Sequence, residues 1–295
     1  GMGNPNAVLT YANNADGAGI WLAPVYRNHE SDGFDAQGVD YGADLDLTGV
    51  ALGADYTFAQ HFRAGAMFNV GSGDADGQGA GSAVSNDFDY WGASIYGGFV
   101  YDNFSVTADV GYTVVDNDLD ASTGMSDVTK LTASTDTEAW TVGVTAQYKF
   151  ELPVVDVTPH IGARFTRIDM DDYTVESNAG AVAEFEADSM NVFSIPVGVT
   201  LSKEFTAGDW SVMPSLDLVV TANTGDDEFD GDVQWAGVSN LSTATSTEVI
   251  DSFTYGANLG ISAQYKAFSF GLGVNYVGSD NTDEYGVQAN ARFTF

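Results

Sequence analysis

Tyr285-Gly286-Val287-Gln288-Ala289-Asn290-Ala291-Arg292-Phe293-Thr294-Phe295 repeats with period two. Tyr285, Val287, Ala289, Ala291, Phe293 and Phe295 fall on one side, and Gly286, Gln288, Asn290, Arg292 and Thr294 on the other. Successive side chains of a strand point to opposite faces, so this is a β-strand with one apolar and one polar face. The same alternation runs through 104–114, where Phe104, Val106, Ala108, Val110, Tyr112 and Val114 oppose Ser105, Thr107, Asp109, Gly111 and Thr113. Segments 140–150 and 253–265 repeat it, the first with Trp140, Val142, Val144 and Tyr148, the second with Phe253, Tyr255, Leu259 and Ile261.

Working outward, the pattern predicts twelve strands, near 18–27, 40–58, 62–71, 87–100, 103–115, 138–150, 154–168, 190–202, 209–221, 250–265, 267–277 and 285–295. The second changes parity near Thr48-Gly49, which predicts a bulge. Long acidic connections are expected at 28–39, 72–86, 116–137, 169–189, 222–249 and 278–284, with Asp171-Asp172 and Asp226-Asp227-Glu228 as examples. Short ones fall at 59–61, 101–102, 151–153, 203–208 and Lys266. This long–short alternation predicts an even-stranded meander with both termini on the short-turn side, the periplasmic side in bacterial barrels. Strands of about 9–11 residues can cross a bilayer when tilted.

The composition narrows the function classes. The 295 residues hold 42 Asp and Glu against 9 Lys and Arg, a formal charge of -33. That excess of anions excludes a nucleic-acid binder and a polybasic membrane-surface binder. With 44% hydrophobic and 13% aromatic residues the chain can bury surface, so disorder is excluded. There is no Cys, hence no disulfide and no thiolate chemistry. No apolar run reaches the roughly 18 residues of a spanning helix. The first residues show no basic and apolar leader. A soluble barrel would turn its apolar face inward and cover the outside with Lys and Glu. Here the polar face is Gly, Ser and Thr, and aromatics (Phe104 and Tyr112, Trp140 and Tyr148, Phe253 and Tyr265) flank an apolar band, which favours a lipid-facing exterior. The expected fold class is therefore all-β: a twelve-stranded antiparallel transmembrane β-barrel over 17–295.

Four stretches add a resemblance. They are Gly49-Val50-Ala51-Leu52-Gly53-Ala54-Asp55-Tyr56, Tyr90-Trp91-Gly92-Ala93-Ser94-Ile95-Tyr96-Gly97-Gly98-Phe99, Thr158-Pro159-His160-Ile161-Gly162-Ala163-Arg164-Phe165-Thr166-Arg167 with Asp171-Asp172-Tyr173-Thr174, and Gly286-Val287-Gln288-Ala289-Asn290-Ala291-Arg292-Phe293-Thr294-Phe295. Together they resemble the C-terminal translocator domain of bacterial autotransporters, the type V secretion family of Gram-negative bacteria. The resemblance implies an outer-membrane barrel that anchors an N-terminal passenger and helps carry it to the cell surface. No passenger is expected in the 16 residues before the first strand. Implied partners are outer-membrane lipid and lipopolysaccharide, the barrel assembly machinery and the chain's own passenger; a monomer is expected, without cofactor, metal or nucleic acid. Alternatives are a stand-alone porin or channel and, less favoured, an outer-membrane hydrolase.

Several residues are candidates for function. Tyr285, Val287, Ala289, Ala291, Phe293 and Phe295 match an assembly signal, because an aromatic-ended edge strand can be captured by β-augmentation; a plain closing strand favours the same residues. Asp109, Lys149, Arg164, Asp217 and Arg292 fall on the polar face, where opposite charges could pair across the lumen. His29, beside Glu30 and Asp32 in an expected loop, is the one faint catalytic candidate; His61 and His160 lie elsewhere, so no catalytic cluster is assembled. Asp74-Ala75-Asp76-Gly77 offers hard oxygen ligands but lacks a full calcium-loop pattern, so it reads as a solvated acidic loop. Asn13-Asn14 resembles a self-cleavage pair but sits too close to the first strand to be assigned as one. In 1–16, Pro5 precedes Val8, Tyr11 and Ala12 at helical spacing, which predicts a short helical plug in the lumen.

Overall fold

The computed structural model describes residues 17–36, 39–79, 84–122, 130–170, 173–177, 180–187, 189–225, 228–235, 242–248, 253–279 and 282–295. Among these, twelve antiparallel strands form the barrel: β1 (Gly17–Ala36), β2 (Val39–Phe58), β3 (Phe62–Gly79), β4 (Val84–Tyr101), β5 (Phe104–Ser122), β6 (Lys130–Tyr148), β7 (Asp156–Met170), β8 (Met190–Ser202), β9 (Trp210–Gly225), β10 (Phe253–Tyr265), β11 (Phe268–Gly278) and β12 (Thr282–Thr294). Phe150–Glu151 and Phe205–Ala207 continue β6 and β8 towards their turns. Gly19 of β1 faces Asp55 of β2 on one side and Thr294 of β12 on the other, which closes the ring. Beyond one end, Tyr173–Ser177 pairs with Gly180–Ala187, and Glu228–Trp235 with Ser242–Glu248. The all-β, twelve-stranded reading is borne out, and pairing of β1 with β12 closes the edges of the barrel wall.

The two ends differ. At one, tight turns reverse the chain, and Ala59, Gln60, Asp102 and Lys266 take the left-handed backbone with φ of 55°, 60°, 50° and 53°. At the other, β1 to β6 run on for 18 to 20 residues. At about 3.3 Å per residue such strands are roughly 60 Å long, far more than a tilted crossing needs. Much of the expected loop sequence in 28–39, 72–86 and 116–137 is therefore paired strand. Asp74-Ala75-Asp76-Gly77 lies inside β3 rather than in a loop, and His29 lies in β1 opposite Leu45 and Glu284.

The bulge expected at Thr48-Gly49 is not there. The pairing of β2 with β1 and β3 is unbroken from Asp44 to Thr57. The apparent change of parity arises because Leu47, 8% exposed, turns inward where the pattern suggested lipid.

Burial is inverted relative to a water-soluble barrel. Ile95, Leu272 and Tyr56 are 64%, 63% and 56% exposed, while Asp55, Arg63, Asp109 and Arg292 are all buried. The exposed apolar side chains form the outer face, so only an apolar medium makes this arrangement favourable. Aromatic pairs edge the band, including Tyr112 with Trp140 (ring centroids 4.6 Å apart) near the extended end and Trp210 with Tyr265 (4.9 Å) at the turn end. Above the band the outer face turns acidic. Asp46 stands opposite Asp74, Asp74 opposite Asp87, and Asp87 opposite Asp118. The next row brings Asp89 opposite Asp116 and Asp116 opposite Asp136.

Candidate functional site

The lumen wall is lined by the polar parity of each strand: Gly, Ser, Thr and Asn, with Arg27, Arg63, Arg164 and Arg292 among them. Glycines on this wall leave room for a neighbour's side chain to cross. Arg164 of β7 reaches over Gly143 of β6 to Asp109 of β5, with Nη1–Oδ2 3.0 Å and Nη2–Oδ1 2.7 Å. A Cβ on Gly143 would collide with the Arg164 guanidinium. Thr141 accepts a further bond from Arg164, at 2.7 Å. His160 of β7 likewise crosses Gly198 of β8 and meets Asp217 of β9 at 2.6 Å. Thr200 donates to the same Asp217 oxygen at 3.0 Å.

The third crossing lies at the junction of the first and last strands. Arg292 of β12 passes over Gly19 of β1 and grips Asp55 of β2 with both terminal nitrogens, Nη1–Oδ2 measuring 2.8 Å. Tyr96 of β4 donates its hydroxyl to Asp55 at 2.6 Å and accepts from Trp21 Nε1 at 2.8 Å. Arg63 of β3 lies 3.8 Å from Asp55 and donates to Thr57 at 2.9 Å. Trp21 in turn occupies the space above Gly53. Bidentate guanidinium–carboxylate pairs are the strong, directional kind, and burial removes the water that would screen them.

Of the charged residues singled out from the sequence, Asp109 pairs with Arg164, Asp217 with His160 and Arg292 with Asp55, all on the inward parity. Lys149, at the turn end, lies 3.6 Å from Asp156. A further inward pair joins Arg27 and Glu284 at 3.2 Å near the extended end. Sequence reasoning missed Asp55, Arg63, Tyr96 and Trp21, although each is a charged or large residue at an inward position otherwise held by small ones. It also left His160 unpartnered. The hydroxyl beside the His160–Asp217 pair, Thr200, donates to the carboxylate, which is not the nucleophile-on-imidazole arrangement of a hydrolase. Among the described residues there is no cluster of three metal-ligating side chains.

The outer face of β12 carries the aromatic-ended series. Tyr285, Val287 and Phe295 are exposed. Phe293 packs on Phe268 with centroids 5.0 Å apart and on Phe295 at 5.6 Å. Ala289 and Ala291 stand opposite Leu272 and Phe270 of β11. Phe295 and Ala18 exchange both backbone hydrogen bonds, at 2.8 and 3.0 Å, so the seam ladder runs to the end of the strand. Residues 1–16, with Asn13-Asn14 and the expected plug, lie outside the described residues, as do Asp171-Asp172 and Asp226-Asp227.

The autotransporter β-domain family model matches residues 20–276. The chain belongs to this family. Its fold is also that of solved translocator domains. The translocator domain of the autotransporter NalP from Neisseria meningitidis superposes with a TM-score of 0.74 at 13% identity, covering 98% of this chain and 92% of that one. The β-domain of the Bordetella autotransporter BrkA gives 0.66 at 19% identity, over 95% and 100%. The transport unit of AIDA-I from Escherichia coli gives 0.65 at 15%, over 97% and 92%. In sequence, the chain is 25% identical over 276 residues to the uncharacterised protein YaiT of Escherichia coli (strain K12), covering 92% of this chain but only 26% of YaiT. This autotransporter β-domain is thus an outer-membrane anchor and translocation barrel of a bacterium.

Proposed function

We propose that this β-domain holds and helps export a passenger joined on the N-terminal side of Gly17, and that the passenger segment crosses through the lumen. The observation that carries the reading is the inverted barrel: an apolar outside around a wall of small polar residues and paired charges, which gives a wetted path through lipid. The work assigned to it is mechanical rather than covalent. The tight-turn end, with Gly17 and Phe295, faces the periplasm, and the acidic strand extensions face outward among lipopolysaccharide headgroups. The barrel assembly machinery reads the outer face of β12 (Tyr285, Val287, Ala289, Ala291, Phe293 and Phe295), and a monomer suffices because the ring is closed.

Cysteine labelling on whole cells tests this orientation. The absence of native Cys makes single-site variants clean. With an impermeant maleimide, Ser134→Cys on the extension of β6 should react, and Asp102→Cys in the β4–β5 turn should react only after the outer membrane is opened. The opposite pattern would overturn the topology.

A further inference from the structure

We propose that the Arg292–Asp55 pair is a closure latch: it forms only when β12 is seated on β1 in the native register, and it holds the seam shut. The inference rests on the barrel reading but not on the passenger. Every other neighbouring pair of barrel strands follows in sequence, so the connecting chain keeps the two together. The seam joins the first strand to the last, and its ladder closes a loop of nearly the whole chain, whose ordering cost grows with length. The seam ladder is also interrupted at Ala23-Pro24, where proline has no N–H to give to β12, so something further must favour the shut state.

The latch has the geometry for that. Its acceptor half is built without β12: Tyr96 and Arg63, from β4 and β3, already hold the Asp55 carboxylate in place. The donor half arrives on β12 and must cross β1, and Gly19 is what lets it pass. A slip of one residue would turn Arg292 to the outer, apolar face. A slip of two would carry it about 7 Å along the strand, out of reach of Asp55. Its burial sets it apart from the crossings elsewhere. The side chains of Arg292 and Asp55 are 4% and 0% exposed, against 33% and 7% for Arg164–Asp109 and 13% and 24% for His160–Asp217. An open seam would leave the Asp55 carboxylate with a single cation and the Arg292 guanidinium with none, so partial opening is penalised.

The test is hydrogen exchange of the full chain refolded in phospholipid vesicles, comparing wild type with Arg292→Gln and with Gly19→Val. The second variant keeps both charges and blocks the crossing. Asp109→Asn, which breaks a crossing far from the seam, is the control. In both seam variants the amides that bond across the seam, those of Ala18, Ile20, Leu22, Ala291, Phe293 and Phe295, should exchange at least tenfold faster, while those of 261–272 keep wild-type rates. In Asp109→Asn the seam amides should be unchanged. Unchanged seam exchange in either seam variant would overturn the latch. So would an equal rise across 261–272, which would mean loss of general stability, or a seam response to Asp109→Asn. If a variant does not refold, the same comparison on Arg292→Lys decides, because a single ammonium can reach one carboxylate oxygen but cannot reproduce the two-pronged grip; an intermediate rate is expected, and a wild-type rate would overturn the proposal.

Discussion

Leu272→Arg separates the lipid-facing barrel from a water-soluble one. Leu272 lies midway along β11, between Phe270 and Val274 on the outer face and opposite Ile261 and Ala289 on the flanking strands. It is 63% exposed. If that exposure were to water, the substitution would be neutral within about 0.5 kcal/mol, as for surface sites generally. If it is to hydrocarbon, a guanidinium near the middle of the bilayer costs about 2–4 kcal/mol on a barrel exterior. That is about 30- to 900-fold in the folding equilibrium constant. Ser262→Arg, on the lumen side of β10, provides the comparison, since its side chain meets lumen water and should cost less than about 1 kcal/mol. The assay is reversible denaturant unfolding in phospholipid vesicles, followed by tryptophan fluorescence. A Leu272→Arg barrel as stable as wild type to within about 0.5 kcal/mol would refute the assignment of the outer face to lipid.

Two further outcomes are expected. The Asp74 carboxylate, hydrogen-bonded to Asp87 on the extension above the band, holds the Asp87 pKa above its usual value, with the charge of Asp118 adding to the effect. A carboxyl whose folded pKa is raised destabilises the folded form when ionised, so the β3–β4 extension should resist proteolysis better as pH falls from neutrality towards the ordinary carboxylate range; Asp87→Asn should lose most of that pH response, and a response identical to wild type would count against the pairing. Phe295→Ser should lower the amount of barrel reaching the outer membrane several-fold while leaving the heat stability of the assembled fraction nearly unchanged, as judged by heat-dependent mobility on gels; wild-type levels would count against the assembly signal.

Much of the fold was legible because a barrel wall obeys one rule at every residue. Where a strand has lipid on one side and a wetted lumen on the other, period two is enforced throughout, and β8 was placed at 190–202 with no difference from the structure. The strand extensions were not legible, because Asp and Gly are poor strand formers and their clusters resemble loops. In Asp116-Asn117-Asp118 the alternation persists, but both faces are polar once lipid is left behind, so the signal that marks a strand disappears. Leu47 misled for the opposite reason: an apolar residue facing the lumen imitates a shift of register. The charged lining was half legible. Parity placed Arg164 and Arg292 on the inner wall, but a partner two strands away depends on register across a third strand, which no local pattern records. His160 and Asp217, 57 positions apart, meet only because β8 lies between their strands.

The crossings over Gly19, Gly143 and Gly198 also bear on the barrel as a hoop. Backbone ladders resist the sliding of one strand on the next but leave the angle between them soft. A tie from one strand to the next but one fixes that angle. The arc from β12 to β4 is tied by Arg292 and Tyr96, and the arc from β5 to β9 by Arg164 and His160. The ties described above do not reach across β10 and β11, where Gly256, Gly260 and Gly273 leave the inner surface low. A change of cross-section from round towards oval should therefore be resisted most along the two tied arcs and least where only backbone ladders join the strands.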